Sequence, residues 1–474
     1  MFDELQAIIS KMESKGADFV EARYDELLIR TIIKDNERIQ ECKAMKQAGI
    51  GFNVYYKGAT GYAFSADLSS AAIEQSAISA LGIAKAGASA VSIKSEIEPL
   101  KSIKNVNIKP DIREPAWLIE FDDKMEILNR METTAKEYGK DIASLKVFYG
   151  ELSGEKIFTN SERTEIQWYP FLLDVRCIVT SKTPQGDLMS ASDVRAGSIG
   201  LEQLKIKCYT PEDLAKNSAL WAKEKMTAKA APAGKFRALC ENVLVGVLAH
   251  ESFGHLTEGD FVVSKATPIH DKLGETLGSE YVTIIDEGIT PRDEKICSMW
   301  LPYDDQGVKA EHNVLIEKGV LKEYLHSRST AKLLNVKPTG NARAVNFTFA
   351  PIPRMRNTYF ISGDLTEEEA LKQLDTGIYA IDTLGGQVEM DGSFLFKAVR
   401  GYWVENGEKQ YPLKDVTLTG NILELLKNVE GATKDLVIFS SYFGGCGKDG
   451  QESLPCGIGG PKLIIDNVRF GGEK

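Results

Sequence analysis

The spacing of apolar and polar positions changes character twice along the chain. Residues 2–15 repeat apolar side chains at helical spacing and predict an amphipathic helix. "FVEARYDELLIRTIIK" and "GIGFNVYYKGATGYAFS" are rich in β-branched and aromatic residues and predict strands. The Ala-rich "SSAAIEQSAISALGIAKAGA" returns to helical spacing behind serines suited to an N-cap. Residues 1–90 therefore read as an amino-terminal α/β domain. The proline-bearing, charge-alternating stretch 91–112 reads as a surface linker. A middle α/β domain follows over 113–230. It opens with the helix "KMEILNRMETTAKEYG", ended by Gly139, and continues as a meander across "ASLKVFYGELSGEKIFTNSERTEIQWYPFLLDVRCIVT". It closes with a helix capped by Thr210 with Pro211 at its first position. "APAGK" at 231–235 marks the main boundary.

From there to residue 474 one helix, over about 243–253, precedes many short strand-like runs separated by Gly and Asn turns. Among them are "YVTIIDEG", "HNVLIEKGVLKEYL", "GIYAIDTLGGQVEM" and "LVIFSSYFGG". The fold class is α+β: an α/β amino-terminal region followed by a largely antiparallel β-rich domain over 231–474.

Composition narrows the function classes. Hydrophobic content of 43% and charged content of 26% are ordinary for a globular chain. The net charge of −11 argues against a nucleic-acid surface, and no apolar run is long enough to span a membrane. The amino-terminal stretch lacks the uninterrupted apolar core of a signal peptide, so cytoplasmic residence is expected. Cys42, Cys177, Cys208, Cys240, Cys297, Cys446 and Cys456 are too scattered for a disulfide framework, and most read as buried small hydrophobes.

The helix expected near 243–253 carries the chemistry. "VLAHESFGHLTEGD" places His250, Glu251 and His255 within six positions of a chain that has 5 histidines. Spacing alone is equally compatible with a core helix whose histidines are satisfied by hydrogen bonds. In an ideal α-helix five residues turn through roughly 500°, leaving the imidazoles about 140° apart. Gly254 offers a way out. The helix can end there in a left-handed conformation, or widen into a single π-type turn; either brings His255 back towards His250. A catalytic zinc takes three protein ligands and leaves a fourth position open. The third ligand is expected among the thiolates of "SSYFGGCGKDGQESLPCGIGGPKL". Cys446, between Gly445 and Gly447, has little packing to explain it, and Cys456 follows Pro455. A carboxylate beside a zinc ligand, as Glu251 would be, can take a proton from a metal-bound water and pass it to a leaving amine.

Several segments together resemble one family. "AHESFGHLTEGDF", "YDDQGVKAEHNVLIEKGVLKEYLHSR", "TGNARA", "RMRNTYF" and "CGKDGQESLPCGIGGPKL" follow one another as in the TldD/PmbA metallopeptidases. The likeness is strongest in the carboxyl-terminal half and is to the TldD branch, since the PmbA (TldE) branch lacks the H-E-x-x-x-H ligands. The resemblance implies a zinc-dependent peptidase with Zn2+ between His250, His255 and Cys446 and with Glu251 as general base. It implies unfolded or short peptides as substrates. It also implies a dimer enclosing the active site, either a homodimer or a heterodimer with a TldE/PmbA-type paralogue. At Cys456 the family more often has an aliphatic residue. A different reading is a non-catalytic, metal-stabilised subunit or regulator acting through protein–protein contacts. A fourth protein ligand, from His270 or Cys456, would favour it. A nucleic-acid-associated regulator is disfavoured by the acidic balance.

Overall fold

A computed structural model describes residues 1–138, 141–291, 293–383 and 385–471. The first half is organised by one eight-stranded sheet. Strands Phe19–Asp35 and Arg38–Tyr56 form a long hairpin in register Asp35↔Arg38. Its turn places Asn36 and Glu37 at φ 49° and 67°, the twist that suits a tight hairpin. Ala59–Ser65 pairs with the inner end of Arg38–Tyr56, and Ile142–Asn160 pairs along Phe19–Asp35 on the other side. At 19 residues, Ile142–Asn160 is long enough to hold two partners, Glu165–Trp168 at one end and Phe171–Lys182 at the other. The segments 1–90 and 113–230, expected as separate domains, therefore contribute strands to a single sheet. The 91–112 stretch between them carries the short strand Val106–Ile108, joined to Glu165–Trp168.

Four helices cover two ends of this sheet. Phe2–Ser14 and Ser70–Gly87 bury Leu5, Ile9, Ile73 and Ala77 against Val20, Ile50 and Phe52. Phe121–Tyr138 and Pro211–Lys225 bury Leu128, Met131, Leu214 and Ala219 against Val147, Tyr149 and Val175. Thr210 caps the last of these through a reciprocal bond pair with Asp213, with Pro211 at the start. Gly139, expected to end Phe121–Tyr138, lies outside the described residues.

The second half is built on a ten-stranded and a six-stranded sheet, mostly antiparallel with a few parallel pairs. Gly234–Cys240 lies inside the larger sheet, between Gly377–Ile381 and Leu463–Phe470. Its last residue feeds the chain into helix Asn242–Val247. Glu241 caps that helix by accepting from the Val243 amide at 3.0 Å. The largest apolar core surrounds it, with Leu244, Val245, Leu248 and Phe253 packed among residues of the surrounding strands. Where one helix was expected in this half, the structure adds Arg328–Leu334, Glu367–Leu374 and Ile422–Lys427 among others. The first two begin with capping boxes at Ser327 and Thr366. Such caps let a helix of only two turns form where the flanking pattern is that of strands. No described helix is long and apolar enough to cross a membrane.

Candidate metal centre

The helix expected over about 243–253 is α-helical only over Asn242–Val247; from Leu248 to Gly254 it widens into a π-turn. The His255 amide donates to the His250 carbonyl, five residues back. That wider turn solves the i, i+5 problem. The two imidazoles lie on the same side, with ring centroids 5.3 Å apart and planes at 82°. Gly254 does not act through a left-handed conformation, one of the two routes expected from sequence: its φ of −56° and ψ of −47° are those of a right-handed helix. What requires glycine is space, since a Cβ there would fall onto the Met355 sulfur.

The third donor arrives from the far end of the chain. Cys446 starts strand Cys446–Lys448, which pairs in a hairpin with Gln451–Leu454. Gly445 precedes it at φ 144°, and a Cβ there would press on the backbone of Ser453 and Leu454. Fully buried Arg354 clamps the hairpin by donating to the Cys446 carbonyl at 2.7 Å and the Gln451 carbonyl at 3.3 Å. Arg343 holds the next residues through the Pro455 carbonyl.

The ligand atoms of His250, His255 and Cys446 all lie within 4.8 Å of one another. The Cys446 Sγ is 3.3 Å from the His255 Nε2. Two nitrogens and a sulfur around tetrahedral zinc stand roughly 3.3–3.7 Å apart, so the donor set fits such an ion in type and in span. Glu251 is beside it, its Oε2 3.7 Å from the His255 Nε2 and its side chain 40% exposed. Cys456 is buried with its Sγ 4.0 Å from the His250 Nε2, but it stands outside the trio. His270 is not among these residues; its Nδ1 faces the Thr267 carbonyl at 3.0 Å. His312 pairs with Glu287, and His326 with Thr330.

The charges of the cluster are mutually supporting. Burial alone would lower the His255 pKa, but Glu258 and then Cys446 outweigh it and raise it to about 10. Burial would raise the Cys446 thiol, but the two histidines bring it down to about 5. His250 is likewise raised against its burial by Cys456 and Cys446. Such a site favours thiolate, the form in which cysteine binds a metal. Several residues that hold the cluster carry no signal in the local sequence pattern: Glu258, whose Oε2 accepts from the His255 Nδ1 at 2.9 Å, and Lys448, Arg354 and Met355. The runs "LTEGD" and "RMRNTYF" that contain several of them stand out only through the family likeness.

Residues 233–472 match the model of the PmbA/TldA metallopeptidase C-terminal domain. A metalloprotease of Methanocaldococcus jannaschii is 35% identical over 95% of this chain and 96% of its own length. A zinc metalloprotease TldD homolog of Saccharolobus solfataricus is 25% identical over 98% of this chain and 99% of its own. Among solved structures, TldE from Thermococcus kodakarensis superposes with a TM-score of 0.79 at 17% identity, covering 99% of this chain and 100% of that one.

Proposed function

The chain belongs to the PmbA/TldD family of metallopeptidases, and on that premise we propose that it is a zinc-dependent peptidase acting on unfolded or short peptides. The observation that carries this reading is the convergence of His250, His255 and Cys446, from segments almost two hundred residues apart, beside a half-exposed Glu251. The naming of the Saccharolobus solfataricus relative as a zinc enzyme agrees with that donor set. When bound, zinc acidifies water and polarises a carbonyl. Glu251 takes the proton of the attacking water and returns it to the amine nitrogen that leaves. Its partial exposure keeps it reachable by a substrate.

A binding surface for extended chains supports the substrate class. Ala59–Ser65 pairs with Arg38–Tyr56 only from Ile50 to Tyr56, so the outer edge of 38–49 has no strand beside it among the described residues. An extended peptide can pair with such an edge through backbone hydrogen bonds, largely independent of side-chain identity. Thr31, on the neighbouring strand, bonds the Tyr442 hydroxyl at 2.9 Å, linking this sheet to the segment that leads into Cys446. The assembly carried over from the resemblance is a dimer, of two copies or with a TldE/PmbA-type paralogue, and the compartment is the cytoplasm.

His250→Ala, His255→Ala and Cys446→Ala should each lose zinc and cleavage of an unstructured peptide while remaining folded, and Cys456→Ala should keep most of both. Metal analysis of the four purified variants decides this; full zinc in either histidine variant removes the assignment. Loss of zinc from Cys456→Ala would favour the second reading, a metal-stabilised non-catalytic subunit with a closed site, which the 4.0 Å approach of Cys456 to His250 keeps in view.

A further inference from the structure

We propose that Glu258 and Lys448 form a positioning pair that aims His255 and Cys446 at one point. Glu258 is fully buried, and its Oε2 accepts from the His255 Nδ1 at 2.9 Å. That bond holds a proton on Nδ1, so that Nε2, 3.3 Å from the Cys446 Sγ, is the nitrogen that would give up its proton to bind a metal. A buried carboxylate needs compensation. The other oxygen of Glu258 has no hydrogen-bond partner among the described residues, so compensation falls to His255 and Lys448. The Lys448 Nζ lies 3.1 Å from the Glu258 Oε2, and also meets Asp260 at 2.7 Å and the Pro353 carbonyl at 3.0 Å.

Chain connectivity gives the pair its meaning. Lys448 stands two positions after Cys446 on strand Cys446–Lys448, and both side chains are buried while Gly447 between them is exposed. The pairing slips by one residue between them, yet Cys446 Sγ reaches His255 and Lys448 Nζ reaches the Glu258 that holds it. The strand that delivers the thiolate therefore also delivers the ammonium that holds the histidine's carboxylate partner. A shift of this strand would displace both donors together. Glu258 is thereby occupied in orienting His255.

This inference rests on the zinc reading above. The test is zinc affinity of the full chain, measured by competition with a chromogenic chelator, beside peptide cleavage split into kcat and KM. Wild type must bind zinc; if it does not, the zinc reading itself fails. Glu258→Gln and Lys448→Met should each weaken zinc binding by about 10–100-fold, with KM for peptide little changed. The double variant should be no more than a few-fold worse than either single one, because Lys448 acts through Glu258. Lys448→Arg should recover affinity to within a few-fold of wild type, which also covers the case that Lys448→Met fails to fold. Wild-type zinc affinity in Glu258→Gln and Lys448→Met, or losses that multiply in the double variant, would overturn the pairing while leaving the zinc site intact.

Discussion

Glu251 is the most exposed member of its cluster, at 40% against 16% for His255, and on the proposed reading that difference separates base from ligand. Glu251→Gln preserves the shape of the side chain and replaces none of the three donors, so zinc content should stay at the wild-type level. An amide cannot accept the water's proton, and turnover should fall by about 10²–10⁴-fold. Metal analysis and peptide cleavage on one preparation check both halves; near-normal turnover would exclude Glu251 as the base. The trio stood out as a candidate from residue type, because histidine is rare in this chain and a cysteine between glycines is unusual, although Cys446 proves to be packed in the main apolar core. Glu258, Lys448 and Arg354 were not. A charged residue in sequence reads as solvated, and only the folded chain reveals that these three are buried, with Glu258 bonded to His255, Arg354 to the Cys446 carbonyl and Lys448 paired with Glu258.

At the scale of elements, the turn from Leu248 to Gly254 is what makes an i, i+5 histidine pair usable. Sequence allowed either a left-handed stop at Gly254 or a π-turn. It could not show why a glycine stands there, since the atom that leaves no room for a Cβ belongs to Met355, a hundred residues further on. Gly254→Ala forces the Met355 sulfur to move in a fully packed core. It should cost roughly 1–3 kcal/mol in denaturant unfolding, the usual range for overpacking. Met355→Ala clears that space, so the double variant should lose clearly less than the sum of the two single losses. Strictly additive losses would show that the two residues do not compete for one volume. The short capped helices Arg328–Leu334 and Glu367–Leu374 escaped the sequence reading for a different reason: two turns are too brief for a periodic pattern to emerge from a strand-rich background.

For the whole molecule, the sequence separated the strand-and-helix first half from the β-rich second half near residues 231–235. It did not foresee that strands from 1–90 and 113–230 join one sheet, because pairing between strands 120 residues apart leaves no local trace. The halves meet where Asp193, from the strand Leu188–Gly197, faces a cavity of about 660 Å³ that Glu241 and Asp382 of the second half also line. Burial raises Asp193 and Asp382 to about 7 each. A folded-state pKa above the unfolded value means that the native protein holds a proton the unfolded chain has released. Stability from these groups is therefore lost as pH rises from about 4 to 7. Asp193→Asn should melt higher than wild type at pH 8, with the gain fading as pH falls towards 4; a gain independent of pH would place its origin elsewhere. The two halves also bring the free edge at 38–49 and the His250, His255 and Cys446 trio into one molecule, the combination on which the proposed action on unstructured chains relies. The most direct measurement is zinc content and cleavage of an unstructured peptide on the same purified chain, before chelation, after it, and after zinc is returned. Zinc bound stoichiometrically, cleavage lost with the metal and regained with it, is the expected result. Undiminished cleavage by the metal-free chain would contradict it.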